Sequence, residues 1–267
     1  MNAEIGKNLR LARLINPNDG RSLITAYSHS LIYGTLPGFE SIDKMRENIA
    51  YLADNVDGII LSSAALKHTA DLFYGRDKAA VIIQCDYQNY SRKGSLSYEE
   101  GSAAALFDLE EAVISGADAV MSYLYIGSEK ADKERYEVER NSRYVRESRK
   151  YGLPLIIEPR FAREKVEPEK KTDLEIMKLY TRIAQELGAD ILKIIYPGTS
   201  DKLEKLTANI DIPTFIAGGE NKGYKATLSK AEEVINAGAD GLIFGRSIFQ
   251  SDNMQSLLSE LNDIVHG

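Results

Sequence analysis

The chain has 267 residues, 43% hydrophobic and 27% charged, with a formal net charge of −7. That length suits one α/β barrel or two small domains, the acidity argues against a general nucleic-acid binder, and no apolar run approaches the ~18–20 residues of a membrane span. A single cysteine, Cys85, excludes a disulfide framework and fits a reducing, cytoplasmic compartment, while three scattered histidines, His29, His68 and His266, lack zinc-site spacing, so no metal is expected.

The first stretch, MNAEIGKNLRLARLI, carries an acid and lacks the apolar core of a secretory signal; it reads as a short amphipathic helix. Apolar runs of strand length follow at 22–27, 58–62, 79–84, 118–123, 153–158, 189–195, 212–217 and 239–244. Most lack clean alternation, the pattern of parallel strands covered on both faces. Between them, 41–54, 64–75, 98–115, 132–151, 172–187, 200–208 and 226–237 have helical spacing and helix-forming composition. The stretches 86–97 and 159–171 are poorly patterned and follow strands, so they read as βα loops. Arg146, Arg149 and Lys150, interleaved with acids and tyrosines, read as a solvated helix face, and His68 and His266 as surface or helix residues.

The triplet Gly-Ala-Asp recurs at 116–118, 188–190 and 238–240, each time between a helix and a strand. Its glycine suits the left-handed residue that ends a helix, and its alanine suits close helix-to-sheet packing. No linker divides the chain. Eight such units in about 250 residues, with no GxGxxG turn after the first strand, predict a closed (β/α)8 barrel rather than an open doubly wound sheet. The expectation is one barrel domain over 1–267 with a short N-terminal helix.

A barrel of this kind carries its active site at the C-terminal ends of the strands. Ser28 and His29 follow the first strand, Asp86 the third, Tyr123 and Tyr125 lie at the fourth, Glu158 ends the fifth and Lys193 lies on the sixth. Pro159 is expected to end the fifth strand at Glu158. Lys193 sits inside the apolar run GADILKIIYPG. Two readings stand: a strand-end lysine whose stem packs while its head reaches water, or a buried amine that is nucleophilic toward carbonyls. Asp86 and Glu158 are candidate proton carriers, and burial beside an imine is expected to tune Glu158 toward neutrality; the alternative for Glu158 is an ion pair with a lysine or arginine. Tyr123 and Tyr125 are candidate pocket residues, one of which is expected to face outward. His29 is either a catalyst or a hydrogen-bonded pocket residue.

After the seventh strand comes Ala217-Gly218-Gly219, and after the eighth Gly245-Arg246-Ser247 opens a short helical run. Glycines let backbone N–H groups approach an anion, and Arg246 adds a charge-assisted contact. These are the junctions where barrels commonly hold phosphate.

The segments GADILKIIYPG, FIAGGENK, ADAVMSYLYIGSE and NAGADGLIFGRSIFQ resemble the archaeal-type class I aldolases. That group includes fructose-bisphosphate aldolases, 2-amino-3,7-dideoxyheptulosonate synthase and the autoinducer-2 pathway thiolase. The resemblance spans nearly the whole chain. It implies a (β/α)8 barrel, a Schiff-base lysine at Lys193, phosphate contacts at Gly218, Gly219, Gly245 and Arg246, no metal or cofactor, a phosphorylated small-molecule substrate, and a homo-oligomer, often a ring-based decamer. Two positions depart from the pattern. Ser28 stands where the family has an active-site aspartate, and Glu158-Pro159-Arg160 stands where it has Tyr-Pro-Arg. The expected activity is a Schiff-base lyase of the aldolase type. Transfer of an aldol or acyl fragment, and a non-catalytic sugar-phosphate-binding barrel, are the alternatives.

Overall fold

The computed structural model describes residues 2–267. In chain order, α1 (Ala3–Leu14) leads to β1 (Ser22–Tyr27), the short α2 (Ser30–Tyr33), α3 (Ile42–Ala53), β2 (Gly58–Leu61), α4 (Ser63–Thr69) and β3 (Ala80–Gln84). A small hairpin of β4 (Asp86–Gln88) and β5 (Ala103–Ala105) follows, then α5 (Leu109–Ile114), β6 (Ala119–Ile126), α6 (Ala131–Tyr151) and β7 (Leu155–Phe161). The last third comprises α7 (Leu174–Leu187), β8 (Ile191–Ile195), α8 (Ser200–Thr207), β9 (Thr214–Ala217), α9 (Tyr224–Asn236), β10 (Gly241–Phe244), α10 (Arg246–Phe249) and α11 (Met254–His266). β1, β2, β3, β6, β7, β8, β9 and β10 pair in parallel and close into a barrel. No described helix is long and apolar enough to cross a membrane.

Two shells of side chains hold the barrel. Inward positions such as Ile24, Ile82, Met121, Ile156, Ile191 and Phe215 fill its interior, and Leu14 of α1 joins them. The alternate positions, such as Leu192, Ile194 and Ile216, pack outward against buried helix residues such as Met177, Leu203 and Val234. This double burial is why the strands read as continuous apolar runs. The helices start on caps that the sequence supplies: Ser41, Ser62, Asp173 and Thr199 each accept a hydrogen bond from an N–H in the first turn that follows.

The Gly-Ala-Asp joints behave as read at their glycines, with φ of +80° at Gly116, +111° at Gly188 and +85° at Gly238. Their aspartates do more. Asp118, Asp190 and Asp240 accept hydrogen bonds from the N–H groups of Val81, Leu155 and Thr214 at 2.9, 2.9 and 2.8 Å. Each aspartate's own N–H donates to the carbonyl of the same residue. Asp57 clips Leu23 in the same two-way fashion. Every clip ties the start of one strand to the start of its neighbour and so fixes the register.

Four expectations need correction. The segment 98–115 is not one helix. Ala103–Ala105 pairs antiparallel with Asp86–Gln88, so tertiary pairing overrides the helix propensity of the alanines, and only Leu109–Ile114 is α-helical. The stretch 86–97 is accordingly not all loop. β7 does not stop at Glu158: the extended backbone that Pro159 favours carries the strand on to Phe161, with Pro159 opposite Leu124 of β6. Finally, the eighth unit is completed by α11, whose buried Leu257, Leu258, Leu261 and Val265 mark a helical face.

Candidate active site

Parity along the strands decides which side chains enter the barrel mouth. Lys193 follows Ile191 by two residues and so points inward, as do Glu158 after Ile156 and Tyr123 after Met121. Lys193 is 6% exposed and Glu158 2%. The Lys193 Nζ lies 2.8 Å from Glu158 Oε2 and 3.9 Å from the Met121 sulfur. The other Glu158 oxygen accepts from Arg160 Nη1 at 2.8 Å. Arg160 in turn donates to Glu164 at 2.6 Å, and Lys171 approaches Glu164 at 3.7 Å. Charges therefore alternate from the barrel interior outward: Lys193, Glu158, Arg160, Glu164, Lys171.

This arrangement sets the state of Glu158 in the free protein. Burial pushes its pKa up, but Lys193 and Arg160 on either side outweigh burial and hold it below its ordinary value of 4.5. In the free protein Glu158 is an anion paired with both a lysine and an arginine.

Tyr123 and Tyr125 both face inward, as residues two apart on a strand must, so the expectation that one turns outward fails. Tyr123 sits in register with Glu158, and burial beside that carboxylate raises its pKa far above 10.0. Tyr125 is sealed in a stack, its ring 3.7 Å from that of Tyr90 and 5.8 Å from that of Tyr123.

Asp86 is fully buried but is not hydrogen-bonded to Lys193 or Glu158. Its Oδ2 accepts from the Tyr123 N–H at 2.8 Å and lies 3.2 Å from Arg140 of α6. The carboxylate thus ties the start of β4 to β6, just past the point where the β3–β6 ladder ends at Gln84 and Met121. Burial drives its pKa to about 7 against the pull of Arg140. Ser28, where the resemblance leads one to expect an aspartate, donates to Gln84 Oε1 at 2.5 Å, and Gln84 Nε2 donates to the Asp86 carbonyl at 3.0 Å.

His29 packs edge-on against Phe249 at 5.5 Å, and its buried Nδ1 has no hydrogen-bond partner. Burial, with the nearby charges of Lys193 and Arg246, lowers its pKa to about 3, so the imidazole is neutral. A Cβ on Gly245 would come within 2.5 Å of the His29 ring, so this junction admits only glycine.

At the two glycine junctions, Gly219 has φ +84°. The Gly218 N–H already donates to the Ile243 carbonyl at 3.1 Å, continuing the ladder, so Gly218 is not a free donor as expected. Among the described residues no acceptor faces the N–H groups of Gly219, Gly245, Arg246 or Ser247. The Arg246 guanidinium lies over the Tyr33 ring at 5.6 Å, 3.9 Å from Glu220, with its Nε unpaired. One mouth therefore contains a buried amine, a buried carboxylate, a neutral imidazole and a cluster of unengaged donors.

Sequence reasoning missed Gln84, Glu164, Lys171 and the role of Arg160. Gln84 had a signal: a polar residue two after inward Ile82. Glu164 and Lys171 had none beyond their place in a βα loop.

The family model described as DeoC/LacD family aldolase matches residues 22–251. An uncharacterized aldolase of Saccharolobus solfataricus is 30% identical over 264 residues, 98% of this chain and 95% of that one. The 3-hydroxy-5-phosphonooxypentane-2,4-dione thiolase of Yersinia pestis is 29% identical over 261 residues, 98% of this chain and 82% of that one. Among solved structures, a Schiff-base-forming fructose-1,6-bisphosphate aldolase matches with a TM-score of 0.82 at 28% identity, covering 97% of this chain and 100% of that one. An archaeal fructose-1,6-bisphosphate aldolase, solved with its catalytic lysine bound to the carbinolamine intermediate, matches with a TM-score of 0.81 at 27% identity over 98% of this chain and 100% of that one.

Proposed function

Since the chain belongs to the DeoC/LacD family of aldolases and is a lyase of the class I, Schiff-base type, we propose that Lys193 is its imine-forming lysine and that its substrate is a phosphorylated sugar or keto compound. The observation that carries this reading is the 2.8 Å contact of Lys193 with Glu158 inside the barrel mouth. An ammonium cannot attack a carbonyl, and Glu158 is placed to take its proton. Once the amine is neutral, the largest influence holding Glu158 down is gone, burial raises its basicity, and it keeps the proton it received. That proton then leaves with the carbinolamine hydroxyl as water, and the iminium restores the positive partner. Glu158, again an anion, accepts the proton of the substrate hydroxyl as the carbon–carbon bond breaks, and the enamine carbon takes that proton back.

The remaining residues bind and orient. Arg246 and the N–H groups of Gly219, Gly245, Arg246 and Ser247 hold the phosphate, while Gly218 supplies the room, since its missing side chain would press on Phe244 and Ser247. Neutral His29, Ser28 and Tyr123 hydrogen-bond the substrate's oxygens. Tyr125 and Asp86 hold the strand ends in place.

A second reading is favoured by the likeness to the thiolase: the same lysine activates the substrate, and the released fragment passes to an acceptor rather than to water or a proton. We further infer one domain over 1–267, a cytoplasmic location, supported by the lone buried thiol of Cys85, and a homo-oligomer, supported by the exposure of Ile5 and Leu9 on α1 at 61% and 68%.

The test is borohydride reduction with a panel of phosphorylated ketoses and aldehydes, read by intact mass. One adduct is expected, located at Lys193 and absent in Lys193→Met. An adduct on another lysine, or none with any phosphorylated carbonyl compound, overturns the assignment. Adding thiol acceptors to the same panel separates cleavage from transfer.

A further inference from the structure

Lys230 lies on α9, outside the barrel, and takes no part in the chemistry above. Its Nζ donates to the carbonyls of both Ala217 and Gly218, each at 2.9 Å. These are the last two carbonyls before the seventh-strand glycine turn. The ammonium is wedged between the Tyr196 ring at 5.5 Å and the Phe244 ring at 5.8 Å. A lysine wrapped in aromatic faces and aimed at two backbone carbonyls is an expensive way to satisfy two acceptors, since burial disfavours its charge.

The geometry of the peptide shows what that charge does. In a planar trans peptide, C=O and N–H point in opposite directions. The Gly218 carbonyl is drawn outward to Lys230, so the Gly219 N–H of the same peptide is turned toward the barrel mouth. A full charge on the carbonyl oxygen also polarises that peptide and makes its N–H a stronger donor. The preceding peptide is fixed likewise, with Ala217 C=O on Lys230 and Gly218 N–H on the Ile243 carbonyl. Among the described residues no other hydrogen bond reaches the Gly218 carbonyl or the Gly219 N–H, and the φ of +84° at Gly219 is one that glycine adopts without strain.

We propose that Lys230 is a positioning residue for the anion site: held behind the seventh-strand turn, it orients and charges the Gly218–Gly219 peptide that faces a phosphoryl group across from Arg246. The inference rests on the phosphate site proposed above and adds a group that never touches the ligand.

The charge has a titration to read. Burial lowers the Lys230 pKa to about 8, with a further push from Lys222 in the preceding loop and a partial offset from Glu233 on α9. Glu233 is itself engaged by Tyr196 and Ser200 in the loop and helix after β8, and Phe244 of β10 brings no charge. Lys230 is thus charged below about pH 8 and loses that charge above it. The affinity for a phosphate dianion should fall over the same interval.

The experiment titrates inorganic phosphate into the full-length protein by calorimetry between pH 7 and 9.5, in the parent, Lys230→Met, Lys230→Arg and Arg246→Ala. Lys230→Met should weaken phosphate roughly tenfold at pH 7.5, the low end for a group that orients a binding residue from behind. It should also lose the fall through pH 8. Lys230→Arg keeps the charge at every pH tested, so it should bind as the parent does at pH 7.5 and stay flat to pH 9.5. Lys171 and Lys193 remain in both variants, so the part of the parent's fall that is absent from Lys230→Arg is the part that belongs to Lys230. Unchanged affinity in Lys230→Met, or a parent-like fall in Lys230→Arg, overturns the role of Lys230. Unchanged affinity in Arg246→Ala overturns the phosphate site as built, whatever the lysine variants do.

Discussion

Replacing Glu158 by glutamine keeps the size of the side chain and removes its charge. The substitution separates two jobs that the buried pair performs. A buried amine with no carboxylate beside it is easier to hold neutral, so attack on a carbonyl survives; dehydration loses the Glu158 proton and must draw it from water, so imine trapping by borohydride should persist but build up more slowly. Proton transfer does not survive, because an amide can neither accept the hydroxyl proton nor return it. Turnover should fall by roughly 10²–10⁴-fold, the usual share of a general acid or base. That is about 2.7–5.4 kcal/mol in the barrier at 1.36 kcal/mol per decade. Stability should fall as well. Removing one partner of a buried pair costs about 3–5 kcal/mol, and the low end applies here because Arg160 keeps Glu164 and glutamine keeps the packing. At roughly 2–4 °C per kcal/mol, a loss of about 3 kcal/mol lowers Tm by about 6–12 °C. The sign of the pH dependence follows from the lowered pKa. The folded carboxylate titrates below its ordinary 4.5, so the pair's stabilisation is complete above that value and is lost as pH falls through the folded pKa. Calorimetric melts should therefore show the gap between parent and variant closing as pH falls below the ordinary 4.5 and through the lowered folded pKa. Steady-state turnover, borohydride trapping and these melts together make the assay. If Glu158→Gln turns over normally while Asp86→Asn is dead, Asp86 carries the proton and the mechanism built on Glu158 is wrong.

Arg246→Ala should weaken substrate binding by about 1.5–3 kcal/mol, the range for hydrogen bonds to charged groups, with the loss in KM rather than in imine trapping at saturating substrate; a loss confined to kcat would place Arg246 elsewhere in the reaction. His29 is held neutral with a pKa of about 3 against an ordinary 6.5, so the unfolded chain binds a proton that the folded one refuses. Its contribution is intact above about pH 6.5 and is lost as pH falls toward 3, at up to ~1.36 kcal/mol per pH unit. His29→Gln should flatten the decline of stability between pH 6.5 and 4, and an unchanged slope in chemical denaturation would show that the imidazole protonates freely.

How much of this was legible depended on whether a residue's role is set locally. The barrel was legible because both shells of each strand are apolar and because three identical helix-to-strand joints repeat. The aspartates of those joints were invisible as clips, since their partners are the N–H groups of Val81, Leu155 and Thr214, some 26–37 residues away in sequence. Lys193 was legible because a charge inside ILKII conflicts with its surroundings. The alternating chain through Arg160 and Glu164 was not, because charged residues at a strand end and in a loop conflict with nothing until the fold buries them. The hairpin at 86–105 failed for the opposite reason: its alanines favour helix locally, and only pairing with Asp86–Gln88 decides against it. Lys230 is the clearest case. On α9 it has the look of a surface lysine, and only the fold brings it against the Ala217 and Gly218 carbonyls.

The two departures from the family pattern become one once the geometry is known. Where the resemblance leads one to expect an aspartate on the first strand and a tyrosine on the fifth, the chain has neutral Ser28, hydrogen-bonded to neutral Gln84, and anionic Glu158. The mouth therefore keeps one carboxylate for its lysine but carries it on the fifth strand, next to Lys193, rather than on the first. That move has requirements. A carboxylate this buried must give up its proton again when the iminium forms, and Arg160, fixed in turn by Glu164, is the second cation that favours the anion. A tyrosine at the same position would leave Lys193 with no anion and Arg160 with only Glu164. The serine, the glutamate and the Arg160–Glu164 pair are thus a single redistribution of charge. On the proposed mechanism, it places the carboxylate partner of the lysine and the proton carrier on one residue, Glu158.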